Sequence, residues 1–298
     1  MPERLGLGRL LRQVASDDWL SRAVDRVCSE EQSERWAQPR LELTPSSTGG
    51  TCPRQIELSM LGYRPPVARR SRMRMDNGRL AHERWIGYLR ESGVLHDSSL
   101  RVRQPGVWSG EADAVVVDPR TGMLHVVEIK TTNSRSFSLL PPAMVGAEAS
   151  TRALMELHRP YVVQLTQYIV KFQELLGGRY SDEGFLLFEN TDTQDYRILR
   201  VAPGPALRRE AFAAGEAARA AMIEGRLLEP PFARGSSHCR RCYFRDVCFR
   251  LQDGDPEATG RVEEALFQVG RMPIPGGEVS VTSGERRQDE DEEVRFDD

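Results

Sequence analysis

Apolar positions along the chain alternate between a spacing of three to four and a spacing of two, and these switches divide it into elements. Residues 1–40 show patchy helical spacing. The turn-rich stretch LTPSSTGGTCPRQIELSMLGY leads into a helix beginning near Pro53, since proline is tolerated in a first turn. DNGRLAHERWIGYLRESG, residues 76–93, reads as an amphipathic helix closed by Gly93. Two strand-like runs follow, VWSGEADAVVVD and MLHVVEIKTT, joined by the turn PRTG. Residues 131–160 form a long irregular insert with a short helix at 148–158. YVVQLTQYIVKFQELLGG is a helix closed by glycine, GFLLFEN and DYRILRV are two more strands, and residues 206–225 form an alanine-rich helix. A weak helix spans 258–269. No internal repeat is visible. The pattern predicts one α/β core with decorations.

Composition changes this picture little, but charge adds to it. No apolar run is long enough to span a bilayer, and the first twenty residues lack a signal-peptide core. A cytoplasmic protein with no membrane partner is expected, in which clustered cysteines suggest metal rather than disulfides. The net charge of −3 is unevenly spread: from Ile274 onward there are nine acidic and three basic residues, leaving about +3 for residues 1–273. The end of the tail, RRQDEDEEVRFDD, has too little apolar content to fold, so 274–298 is expected to be an acidic disordered tail. Seven arginines lie between Arg64 and Arg84, including Arg70, Arg72 and Arg74. They read equally as a solvated helix face or a phosphate-binding surface.

The two strands before the insert carry the candidate chemistry. With a four-residue turn at Pro119–Gly122, Asp118 faces Met123 and Asp113 faces Glu128. Lys130 lies two residues beyond Glu128 and so points to the same side. Two adjacent acids repel unless a cation shares them, and hard carboxylate oxygens suit Mg²⁺ or Mn²⁺. Such an ion could polarise a phosphodiester while the lysine orients or deprotonates water. The plainer alternative is a Glu128–Lys130 surface ion pair. On the later helix, Gln164, Tyr168 and Lys171 form one stripe beside an apolar stripe of Val162, Leu165, Ile169 and Phe172. The apolar stripe is expected in the core, the polar one facing a cleft, with Gln167 and Glu174 merely exposed.

In SHCRRCYFRDVCFR, residues 237–250, Cys239, Cys242 and Cys248 form C-x2-C-x5-C, one thiolate short of the four that a tetrahedral ion or a cluster takes. The interleaved arginines and aromatics, Arg241 and Tyr243 among them, suit phosphate contact and base stacking on a single strand. They suit the shielding of a metal site equally well.

Taken together, these motifs resemble a known family. GEAD on one strand and EIK on the next resemble the PD-(D/E)XK nuclease signature. Gly78-x-x-x-His82 is similar to the histidine motif of RecB-type nucleases, and Gln164-x-x-x-Tyr168 to their Q-x-x-x-Y motif. Cys52, in CPRQIEL, together with Cys239, Cys242 and Cys248 resembles the iron–sulfur staple of the CRISPR-associated Cas-four exonucleases and AddB-type nuclease domains. The likeness covers residues 46–250, leaving a helical extension at 1–45, a C-terminal helix at 251–273 and the tail outside it.

The resemblance implies a restriction-endonuclease-like core with a mixed central sheet flanked by helices, plus helical and iron–sulfur-bearing decorations. It implies that His82, Asp113, Glu128 and the Ile129 carbonyl ligate Mg²⁺ or Mn²⁺, that Lys130 activates water, and that Gln164 and Tyr168 lie along the site. It also implies a 4Fe-4S cluster, with Zn²⁺ open as the alternative from spacing alone. Holding residues so far apart in sequence removes chain entropy on the order of 4–5 kcal/mol. The implied activity is exonucleolytic digestion of DNA, with a preference for single-stranded ends. Recombination or CRISPR-adaptation proteins are the implied partners. A structure-specific endonuclease with a zinc staple, or a non-catalytic DNA-binding subunit, are the competing functions.

Overall fold

The computed structural model describes residues 20–24, 34–49, 52–272 and 277–283. Short strands β1 (Arg35–Trp36) and β2 (Tyr63–Arg64) pair antiparallel and bracket helices α1 (Pro45–Thr48) and α2 (Pro53–Met60). Helix α3 (Arg69–Glu91) leads to strands β3 (Leu95–Gln104), β4 (Trp108–Val117) and β5 (Leu124–Thr132). A short α4 (Ser134–Ser138) precedes the long α5 (Ala147–Leu176), which carries the chain to β6 (Gly184–Asn190) and β7 (Tyr196–Val201). Helices α6 (Pro205–Ile223), α7 (Ser237–Arg241), α8 (Arg245–Gln252) and α9 (Pro256–Val269) follow, then strand β8 (Ser280–Thr282).

Six strands form one mixed sheet in the order β7-β6-β5-β4-β3-β8. Only β5 and β6 run parallel, and α5 lies in the crossover that a parallel pair requires. On one face, Trp85, Ile86 and Leu89 of α3 pack on Ala114, Val116, Val127, Ile129 and Leu187. The larger core gathers Trp108, Val126 and Leu186 of the sheet with Ile56 of α2, Leu165, Ile169 and Phe172 of α5, and Met222 of α6. Val247 of α8 and Val262 of α9 join it. The sheet is therefore covered on both sides, as an α/β core with apolar strands demands. No helix among the described residues is long and apolar enough to cross a membrane.

Several elements depart from expectation. The helix expected from Asp76 begins earlier, at Arg69, and takes in most of the arginine stretch, because arginine is a good helix former and no proline lies between Ala68 and Ser92. Strand β3 has no counterpart in the sequence reading; its alternation is short, with Leu100 and Val102 buried and Arg101 and Arg103 outward. The insert at 131–160 also holds α4, which was not expected; the helix expected at 148–158 is present and meets the helix from Tyr161 within α5 across non-helical backbone at His158 (φ −138°, ψ 40°), two residues before Pro160. Proline lacks the N–H that would continue the ladder, so the two helical stretches meet there at a kink. The expected unstructured tail is interrupted at Ser280–Thr282, which pairs with β3. Of the helical extension expected at 1–45, residues 20–24 are helical, whereas residues 34–44 hold β1 and a bridge from Leu43 to Trp108. Residues 1–19, Cys28 and 284–298 lie outside the described residues.

Candidate active site and cysteine cavity

The turn that joins β4 to β5 sets the geometry of the site. Gly122 takes φ +70°, and the Asp118 N–H donates to the Met123 carbonyl at 2.9 Å. The register follows as the four-residue turn predicts, from Val117 opposite Leu124 to Ala114 opposite Val127. The ladder ends there, one step short of the expected Asp113–Glu128 pair. There the Ile129 N–H donates to Asp113 Oδ2 at 2.7 Å, so a side chain continues the pairing after the backbones part. His82 reaches this wedge from α3, its Nδ1 3.2 Å from Asp113 Oδ1.

Glu128 is 2% exposed. Its Oε1 accepts from Lys130 Nζ and from Gln164 Nε2 of α5, each at 2.6 Å. Its Oε2 is buried and has no hydrogen-bond partner. Lys130 also lies over the Tyr161 ring, 5.1 Å from the centroid. Burial and then the nearby Asp113 charge push the Glu128 carboxyl up, against the opposing pull of Lys130. For Lys130, burial acts downward, but the charges of Glu128 and Asp113 win and the ammonium is held more firmly than usual. At His82 burial is likewise outweighed, by the hydrogen bond and charge of Asp113, so its value rises. The Lys130 ammonium thus faces both acids, and His82 hydrogen-bonds Asp113.

Tyr168 lies beneath the strand. Its hydroxyl donates to the Glu111 carbonyl at 2.7 Å and its ring meets Trp108 edge-on at 5.9 Å. Gly110 makes room for it, since a Cβ there would lie 2.7 Å from the Tyr168 ring and 2.5 Å from Trp108. Gln164 and Tyr168 are therefore buried supports of β5 and β4, and do not face an open cleft. Lys171 turns away altogether, to Glu174 and the Phe212 ring. The reason is that α5 is covered on nearly every side from Val162 to Ile169, so its polar stripe is enclosed with the apolar one. Gln167, expected at the surface, is fully buried; its amide donates to the Ala211 carbonyl at 2.6 Å and meets the Thr48 hydroxyl.

The four cysteines come together from two ends of the core. Cys52 is the N-cap of α2, Cys239 lies in α7 with its N–H capped by Ser236, Cys242 ends α7, and Cys248 lies in α8. All four are free, half-buried thiols lining one cavity of about 140 Å³ with Phe232, Phe244 and Phe249. Burial raises the thiols of Cys52, Cys242 and Cys248, the last to about 11, and neighbouring cysteines add to the effect. Arg54, 6% exposed, lines the same cavity. With Glu57 it also ties the two halves of the clasp together. Arg54 Nε donates to the Leu228 carbonyl and the Leu228 N–H donates to Glu57 Oε1, both at 2.8 Å. Sequence reasoning missed this pair, which sits among apolar helix positions with no motif to mark it.

Arg74 and Tyr243 line a cleft that reaches His82 and Lys130, whereas Arg241 lines the cysteine cavity. Arg70 and Arg72, also on α3, line neither. Among the described residues, no group of three or more His, Cys, Asp or Glu side chains is gathered closely enough to hold a metal ion as it stands.

No family model and no curated protein matches this chain. Among solved structures, the crystal structure of SSO0001 aligns over 80% of this chain and 97% of that one. The two share 15% identity at a TM-score of 0.43, a likeness too slight to argue from.

Proposed function

We propose that this chain is a metal-dependent deoxyribonuclease of the RecB-like PD-(D/E)XK class with an iron–sulfur clasp, digesting DNA from an end and preferring single strands. The observation that carries this reading is the Glu128 carboxylate. One oxygen is fixed by Lys130 and Gln164, while the other is buried without a partner beside the charge of Asp113. A buried carboxylate oxygen left unpaired is costly unless a ligand completes it.

Asp113, Glu128, His82 and the Ile129 carbonyl would hold Mg²⁺ or Mn²⁺. When bound, the ion supplies polarisation of the scissile phosphodiester and a lowered pKa for the attacking water. Lys130 remains charged and orients that water; Gln164 keeps Glu128 in place, and Tyr168 holds β4 at Glu111. Four thiols lining one cavity could hold a cluster or a zinc ion, and the preference for a four-iron cluster comes from the resemblance. Recombination, end processing, phage DNA metabolism and CRISPR spacer acquisition all use such chemistry.

The test is digestion of 5′- and 3′-labelled single- and double-stranded oligonucleotides with Mn²⁺, Mg²⁺ or EDTA. The expected result is metal-dependent shortening of single strands from an end, with closed circles spared and a loss of about 100-fold or more in Lys130→Ala. No digestion with either metal, or full activity in Lys130→Ala, would overturn the reading.

A further inference from the structure

Beside the wedge lies a cleft of about 650 Å³, lined by Arg74 and Met75 of α3 and by Tyr161, Tyr243 and Phe244. His82 and Lys130 line it too, so it is continuous with the acid–amine cluster. Its volume is in the range of small-molecule pockets.

The aromatics of the cysteine segment divide over two cavities. Phe249 lines the thiol cavity, Phe244 lines both, and Tyr243 lines only the cleft. Tyr243 is 70% exposed, a large ring left in solvent at the cleft's edge. Shielding of the thiols therefore accounts for the phenylalanines but not for Tyr243. Arg74, exposed on α3, lines the same cleft. An accessible ring, a guanidinium and a cationic end at Lys130 together match the chemistry of an unpaired nucleotide. Its base offers a π-face to any aromatic ring, and its phosphates seek arginine.

We propose that Tyr243 and Arg74 form a subsite for a single-stranded nucleic acid, with a base stacked on the Tyr243 ring and a backbone phosphate held by Arg74. This deepens the nuclease reading and rests on it for one point only, that the next phosphate lies at Lys130.

The test is fluorescence anisotropy of a labelled oligothymidine with the full chain in the absence of divalent metal, so that nothing is cleaved. Tyr243→Ala is expected to weaken binding about tenfold or more, and Tyr243→Phe to keep it within about twofold. Arg74→Gln is expected to weaken binding and reduce its salt dependence. A blunt duplex of the same length should bind wild type and Tyr243→Ala alike. Unchanged single-strand binding by Tyr243→Ala, with an unchanged circular dichroism spectrum, would overturn the subsite. So would equal loss of duplex and single-strand binding. Single-strand binding that depends on Tyr243 in a protein that never cleaves would uphold the subsite and remove the nuclease reading; metal-dependent cleavage with binding indifferent to Tyr243 would do the reverse.

Discussion

Glu57 and Glu128 are both buried acids, but the chain treats them differently. Glu128 sits with Asp113, Lys130 and His82; the first three were legible in the sequence because two strands and a short turn bring them to one side, whereas His82 came only through the resemblance. Glu57 was not legible. Its value is raised to about 7, chiefly by burial, and its partner Arg54 lies one helical turn earlier at 3.5 Å. Nothing in a helical pattern separates such a pair from a solvated one. The raised value has a definite consequence for stability. The folded chain holds this proton more tightly than the unfolded chain, so the contribution is fully present below about pH 4.5 and is lost as pH rises towards 7. Glu57→Gln should flatten the difference across that window while keeping a hydrogen-bond acceptor for Leu228. Thermal midpoints of both proteins from pH 4.5 to 8 check this: the variant should gain on wild type with rising pH, and a constant difference would contradict it.

At the scale of elements, the close contact between β4 and α5 depends on a missing side chain. Gly110 lets the Tyr168 ring pass under the strand to reach the Glu111 carbonyl. Gly110→Ala would force apart groups that have no free space, at a cost of about 1–3 kcal/mol. Its denaturation midpoint should fall accordingly, and metal-dependent digestion should fall with it, because Asp113 lies three residues along the same strand; a variant as stable as wild type would show that Tyr168 has room to move. The hairpin and the apolar stripe of α5 were readable because local periodicity determines them. The burial of Gln167 and the strand β3 were not. Each depends on what packs alongside: Thr48 and Ala211 accommodate the Gln167 amide, and β4 and β8 flank β3.

At the scale of the molecule, the cysteine cavity joins α2, near the start of the described core, to α7 and α8 near its end. The triplet was visible as spacing. Its meeting with Cys52 was not fixed by any local pattern and came from resemblance alone, since only the folded core brings residue 52 to residue 239. A cofactor held by all four thiols would close a loop of nearly two hundred residues, which by the loop-length rule is worth about 5 kcal/mol. Cys239→Ala, purified with its cofactor, is therefore expected to lose a few kcal/mol in chemical denaturation and to lose solubility before it loses any active-site group. An unchanged midpoint would mean that the thiols hold nothing. Beside this clasp, the parted ends of β4 and β5 are proposed to set two carboxylates around one divalent cation, and everything said of cleavage depends on that cation. The most direct measurement is titration of Mn²⁺ into wild type, Asp113→Ala and Glu128→Gln, followed by calorimetry or electron paramagnetic resonance. Saturable binding by wild type that is lost in both folded variants is the predicted result; no uptake by wild type, or equal uptake by all three, would contradict it.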